Sequence, residues 1–133
     1  MAFKESVAVR NARLDAIETA IGQSPVLKIR TGVPPANVAT ADTGTVLATV
    51  NLPPNWMNAA SGGVKQMSGA WSDNAADAAG DAGHFRIYAA GGTVAHLQGT
   101  CGESGTDMIV DEATFVINQP FNITSFQITA GNA

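Results

Sequence analysis

Between positions 3 and 21 apolar residues return every three or four places. Phe3, Val7, Leu14, Ile17 and Ile21 form one stripe with Arg10 as its single polar member, and Ala8, Ala12, Ala16 and Ala20 make a smooth flanking ridge. The spacing predicts an α-helix over residues 4–21, with Gly22 in the C-cap position and Pro25 preventing continuation. From Val26 onward the period changes to two. Val26 to Thr31 alternates, and Val46, Ala48, Val50 and Leu52 alternate with Thr45, Leu47, Thr49 and Asn51; both stretches predict strands. The run from Gly83 to Thr100 predicts a hairpin. Phe85 and Ile87 point one way, His84, Arg86 and Tyr88 the other, and Gly91-Gly92 supplies the positive φ that a two-residue turn requires.

Weaker strands are predicted at Val64 to Trp71, with Lys65 protecting an edge, at Asp107 to Val110 and at Thr114 to Ile117. In the last strand, Phe121 to Thr129, the apolar phase slips between Ile123 and Phe126, which predicts a bulge at Thr124-Ser125 or a change of sheet. Asn55 to Ala60 predicts a short helical turn with Trp56 plugging one end of the core, and Ser72 to Gly83 predicts a loop. Seven or eight short strands separated by turn signals predict a mainly β fold, an antiparallel β-sandwich or jelly-roll-like domain behind an N-terminal α-helix. We divide the chain into the helix and its cap (1–24), an extended strand and proline-bearing arm (25–44) and the β domain (45–133).

A helix of this length is marginal in water unless it packs, so it lies either on its own domain or on a neighbouring subunit. The arm, with Pro34 and Pro35 favouring an extended path, is either an ordered crossing loop or a strap on a partner. Charge sharpens the second alternative. Residues 1–30 hold five Lys and Arg against three acids, while the rest of the chain holds two against eight. An acidic body with a mildly basic front argues against a nucleic-acid ligand, which needs clustered cations. No apolar run approaches the ~20 residues of a membrane helix. The amino terminus meets charge at Lys4 and Glu5, so we expect no secretory signal and a protein made in the cytoplasm. On the same ground the sequon at Asn122-Ile123-Thr124 is discounted.

Candidate chemistry is sparse. Asp73, Asp77 and Asp81 are spaced by four, which does not fit a calcium loop. His84 and His96 fall on the polar face of the hairpin and could neighbour each other near Cys101, but no zinc spacing is present. Cys101, alone, reads as a small buried or semi-buried thiol. Trp56, Trp71 and Tyr88 would make a sugar-binding surface only if exposed. With no nucleophile elbow, phosphate loop or dinucleotide fingerprint, we expect no enzyme, no catalytic residue, no metal and no cofactor.

The segments Gly44 to Pro53, Ser68 to Trp71, Ala82 to Tyr88 and Ser125 to Ala133 resemble the small virion proteins of tailed bacteriophages, which carry a helical N-terminus before a Gly-Thr-rich β domain. The resemblance implies a structural protein. In that reading it is a head decoration, or cement, protein on the outer capsid surface, bridging copies of the major capsid protein and self-associating, with a trimer favoured. Tail or neck components are the alternative, and a carbohydrate- or receptor-binding β-module is a further one. Placing the contacts in residues 1–40 makes Phe3, Val7, Arg10, Leu14, Ile17, Ile21, Pro34 and Pro35 the expected partner-facing set.

Overall fold

The computed structural model describes residues 3–133, one helix and ten strands. The helix α1 spans Val7–Ile21. It starts three residues later than the predicted span of 4–21, because Ser6 in extended backbone caps it by accepting from the Val9 amide at 3.2 Å. Gly22 ends it as expected, its N–H returning to the Glu18 carbonyl at 2.9 Å.

Strands β1 (Val26–Arg30), β2 (Val46–Asn51), β3 (Val64–Gln66), β4 (Trp71–Asp73), β6 (His84–Tyr88), β7 (Ala95–Gly102), β8 (Met108–Val110) and β10 (Phe121–Thr129) form one sheet in the order β2-β1-β6-β7-β8-β10-β3, with β4 also on β10. The sheet curls until β2 lies against β4. Strands β5 (Gly80–Asp81) and β9 (Thr114–Phe115) make a separate two-stranded ribbon. The fold is thus mainly β with one N-terminal helix. It departs from the all-antiparallel expectation at β7 and β8, which run parallel through Cys101↔Met108 and Gly102↔Ile109. A clamp makes so short a parallel connection feasible: the Asp107 carboxylate accepts from the Thr100 amide and hydroxyl, while the Asp107 amide donates to that hydroxyl.

Four local expectations are corrected. The stretch from Asn55 to Ala60 is not helical; Met57 bridges Met67 instead, and the Asn58 amide donates to the Gln66 carbonyl. The predicted strand from Val64 to Trp71 is broken into β3 and β4, which pair with successive parts of β10. Part of the predicted loop from Ser72 to Gly83 forms β5. The hairpin turn is longer than two residues, closed by the Ala89 amide on the Val94 carbonyl, and a bulge in β7 at His96 absorbs the difference. The register break in β10 falls between Ile123 and Ser125, where the slip of apolar phase placed it.

Inside the curl, Trp56, Trp71, Phe126 and Phe85 form a chain of aromatic contacts at centroid distances of 6.1, 5.7 and 5.4 Å. Leu27, Ile29, Leu47, Ile87 and Met108 complete the core around them.

Candidate functional site: a seated helix and an anchored arm

The helix lies against β3. Leu14 and Ile21 are buried, and Ile17 packs half-buried against the core. Trp56, itself fully buried, donates its indole N–H to the Gly22 carbonyl at 3.0 Å and so pins the C-terminal end. Beside this apolar seam Lys65 is 1% exposed. Its Nζ meets Asp15 Oδ1 at 2.7 Å, Glu18 Oε1 at 2.9 Å and the Asn58 carbonyl at 2.9 Å. Burial alone would lower the Lys65 pKa, yet the hydrogen bonds and charges of Asp15 and Glu18 outweigh it and hold the ammonium above its usual range. Asp15 is correspondingly held below the usual carboxylate range by its hydrogen bond from Lys65 and one from the Ala60 amide. Lys65 therefore fastens the helix; it is not the solvated edge guard that the strand pattern predicted.

The N-terminal half of the stripe behaves differently. Phe3 is 71% exposed and Val7 48%, and Val9, beside the stripe, is also 48% exposed. Arg10 sits half-buried over Gly63, where any Cβ would collide with its guanidinium, and its Nε finds no acceptor among the described residues. Glu5 and Arg13 pair with each other and hold the carboxyl-terminal stretch, through the Asn132 and Gly131 carbonyls respectively.

The arm is an ordered loop on its own sheet. It leaves β1 and rejoins β2 at Thr31 and Thr45, bonded to each other, with Gly44 at φ 75° because a Cβ there would strike the Thr31 carbonyl. From there it crosses the outer face of β1, β6 and β7, the face whose residues alternate as polar. His84 Nδ1 lies 2.9 Å from the Gly32 carbonyl. Gln98 Nε2 donates to the Pro35 carbonyl at 2.7 Å. Arg86, 2% exposed, donates to Asp42 Oδ1 at 2.8 Å, to the Asn37 carbonyl at 3.1 Å and to Gln98. Arg30 reaches the other Asp42 oxygen at 3.0 Å, and the Tyr88 hydroxyl donates to Oδ1 at 2.7 Å. Burial raises the Asp42 pKa less than the Tyr88 hydrogen bond and the charges of Arg30 and Arg86 lower it, so the carboxyl stays below its usual range. Tyr88 moves up, chiefly through burial. Pro35 is buried and Pro34 half-buried under this loop.

The remaining sequence candidates are dispersed. His84 is buried opposite Thr100 on β7, whereas His96 is exposed in the bulge near the other end of the hairpin; the two do not neighbour each other. Asp73 accepts from the Ala75 amide, Asp77 from the Thr49 hydroxyl and Asp81 from the Thr114 hydroxyl, so each has its own separate partner. Among the described residues no three His, Cys, Asp or Glu side chains converge. Trp56, Trp71 and Tyr88 are all buried, so they form no exposed aromatic platform. Burial pushes the Cys101 thiol up to about 12. Among the described residues no helix is long and apolar enough to cross a membrane.

No protein-family model, curated protein or solved structure matches the chain. The Asp42 and Lys65 clusters had no local signature in sequence. Alternation marked His84, Arg86 and Tyr88 as one polar face, but nothing in the spacing tied that face to an aspartate some forty residues upstream.

Proposed function

We propose that the protein is a non-enzymatic virion structural protein that binds the outer surface of a phage capsid and stabilises it by bridging major capsid protein subunits, with the curled sheet as its sandwich- or jelly-roll-like body. The observation that carries the reading is the divided stripe on α1. Its C-terminal half completes the protein's own core, while Phe3, Val7 and Val9 stand exposed on a segment whose three cations, Lys4, Arg10 and Arg13, balance the acids Glu5, Asp15 and Glu18, in an otherwise acidic molecule. Such a front suits adhesion, since apolar anchors rimmed by charge gain affinity when buried against a partner. The resemblance to small tailed-phage virion proteins supplies the kind of partner. Self-association as a trimer would present three fronts at once, and simultaneous weak contacts dissociate only when all break.

Because Leu14, Ile17 and Ile21 belong to the core, and Pro34 and Pro35 to the arm held on its own sheet, the contact set narrows in this proposal to Phe3, Val7, Val9 and Arg10. Cosedimentation of the full chain with empty phage heads tests it. F3S/V7S should weaken binding at least tenfold, about 1.4 kcal/mol, without altering the unfolding midpoint. Undiminished binding by that variant, or particle images placing the chain on the neck or tail, would sink the head-decoration reading.

A further inference from the structure

The sheet lacks a strand for part of its width. Short β8 is held between β7 and β10 only where it pairs with Cys101–Gly102 on one side and Ile123–Phe126 on the other. Beyond Met108 the Asp107 carboxylate takes the Thr100 amide, and past that clamp, toward the hairpin tip, no described residue pairs with the free edge of β7 or with the facing edge of β10. Ladder alternation tells which main-chain groups face that gap. Cys101 donates to the Gly83 carbonyl on the β6 side, so Thr100 and Gln98 direct their main-chain groups away from β6. Likewise Met67 donates to the Phe126 carbonyl and Ala130 to that of Gly63, so Gln127 and Thr129 direct theirs away from β3.

Between these edges lies a groove of about 340 Å³ with Ile17 of the helix among its lining residues. Leu97 and Ile128 share faces with the fully buried Ile87 and Phe126, yet both remain half-exposed. Inward-facing aliphatic side chains left open beside two unpaired edges are what a sheet presents when one strand is missing.

The geometry points to a strand-addition site: an extended segment of another polypeptide inserts between β7 and β10, in line with β8, its main chain bonding to Gln98, Gln127 and Thr129. Its alternate apolar side chains fill the floor over Ile17, Leu97 and Ile128. Among the described residues lining the groove Asp107 alone is ionisable, so the complementary segment carries a Lys or Arg at that end. A second copy of this chain is a poorer donor. Its arm is fastened through Arg86 and Asp42, and its C-terminal residues through Glu5 and Arg13. The site is separate from the front of α1 and stands or falls independently of capsid binding.

The test uses the full ¹⁵N-labelled chain and a blocked hexapeptide, KVTVTK, at millimolar concentration. Amide shifts should change at residues 97–99 and 127–129, with amide exchange of Gln98, Gln127 and Thr129 slowed about tenfold. EVTVTE should bind at least fivefold more weakly, and KVTVTK N-methylated at alternate residues should not bind. These ligand-side controls need no variant to fold. No shifts, shifts confined to the arm or helix, or binding indifferent to N-methylation would each overturn the proposal. So would protection of the same three amides that rises with protein concentration alone, which would mean that a second copy fills the groove.

Discussion

The helix and the arm are both laid over the sheet and both fastened by a buried cation projecting from a strand, but they differ in what lies under them. Beneath α1, Lys65 is accompanied by the buried Leu14 and by Ile17 and Ile21, the last two packed into the core, so the ion pairs sit beside an apolar seam. Beneath the arm, Arg86 works with Arg30, Tyr88 and Gln98 through hydrogen bonds, and the arm adds little apolar area of its own. Apolar burial scales with area and couples an element to global folding, whereas a polar anchor contributes only a modest net energy and leaves a penalty when half broken. The helix is therefore part of the folding unit, and the arm is a strap that can open while the body stays folded.

The largest effect is expected from the helix. Leu14→Ala should cost about 2–5 kcal/mol, the range for truncating a buried leucine. It should appear as a lower urea midpoint with unchanged slope in a single transition followed by far-UV and tryptophan signals alike. Two transitions, the helix melting first, would show that α1 is an appendage.

Lys65→Met comes next, at about 1–3 kcal/mol, because the apolar stem is kept while three partners of the ammonium are lost. Its pH signature has a definite sign. The folded pKa of Lys65 is raised, so its contribution is complete below the unfolded value near ~10.4 and disappears as pH rises through the folded value. Wild type should lose stability above about pH 10 by this route, and the variant should lose less over that window.

For the arm, Asp42→Asn should leave the global urea midpoint lowered by no more than about 1 kcal/mol, since Arg86 retains Gln98 and the Asn37 carbonyl. Its main effect should be local, with faster proteolysis within residues 36–42. The folded pKa of Asp42 is depressed, so its contribution is present above the unfolded value near ~3.9 and lost as pH falls through the folded one. Wild-type cleavage in the arm should rise only below about pH 4, and D42N should show no such step.

The contrast also explains what was legible in the sequence. Elements with a period could be read: the 3.6-residue stripe of α1, the alternation of β2 and β6, and the phase slip that became the β10 bulge. Period, however, says which face is apolar and not what covers it. The stripe from Phe3 to Ile21 keeps its period throughout, interrupted only by Arg10, yet its apolar members are covered only from Leu14 onward, and the period does not mark that boundary. All five residues of β6 are buried although three are polar, because their cover comes from the arm. Lys65 looked like an edge guard for the same reason: an alternating lysine has one pattern whether water or two carboxylates lie above it. Parallel pairing of β7 with β8 depends on the Thr100–Asp107 clamp, a contact between side chains seven residues apart that no strand period encodes.

Cys101 separates the two kinds of attachment with the smallest expected effect. Its thiol is buried beside the core and its pKa is pushed up to about 12, so thiolate chemistry at neutral pH requires the surrounding sheet to open. Alkylation by iodoacetamide under native conditions should then follow the equilibrium population of globally opened chains. L14A, destabilised by about 2–5 kcal/mol, should label at least tenfold faster than wild type. D42N should label within about twofold of wild type even though its arm is cleaved more readily, because releasing a strap from the outer face does not expose the inner one. Equal acceleration in both variants would mean that the arm and the helix belong to one cooperative unit, and the distinction between strap and core would have to be abandoned.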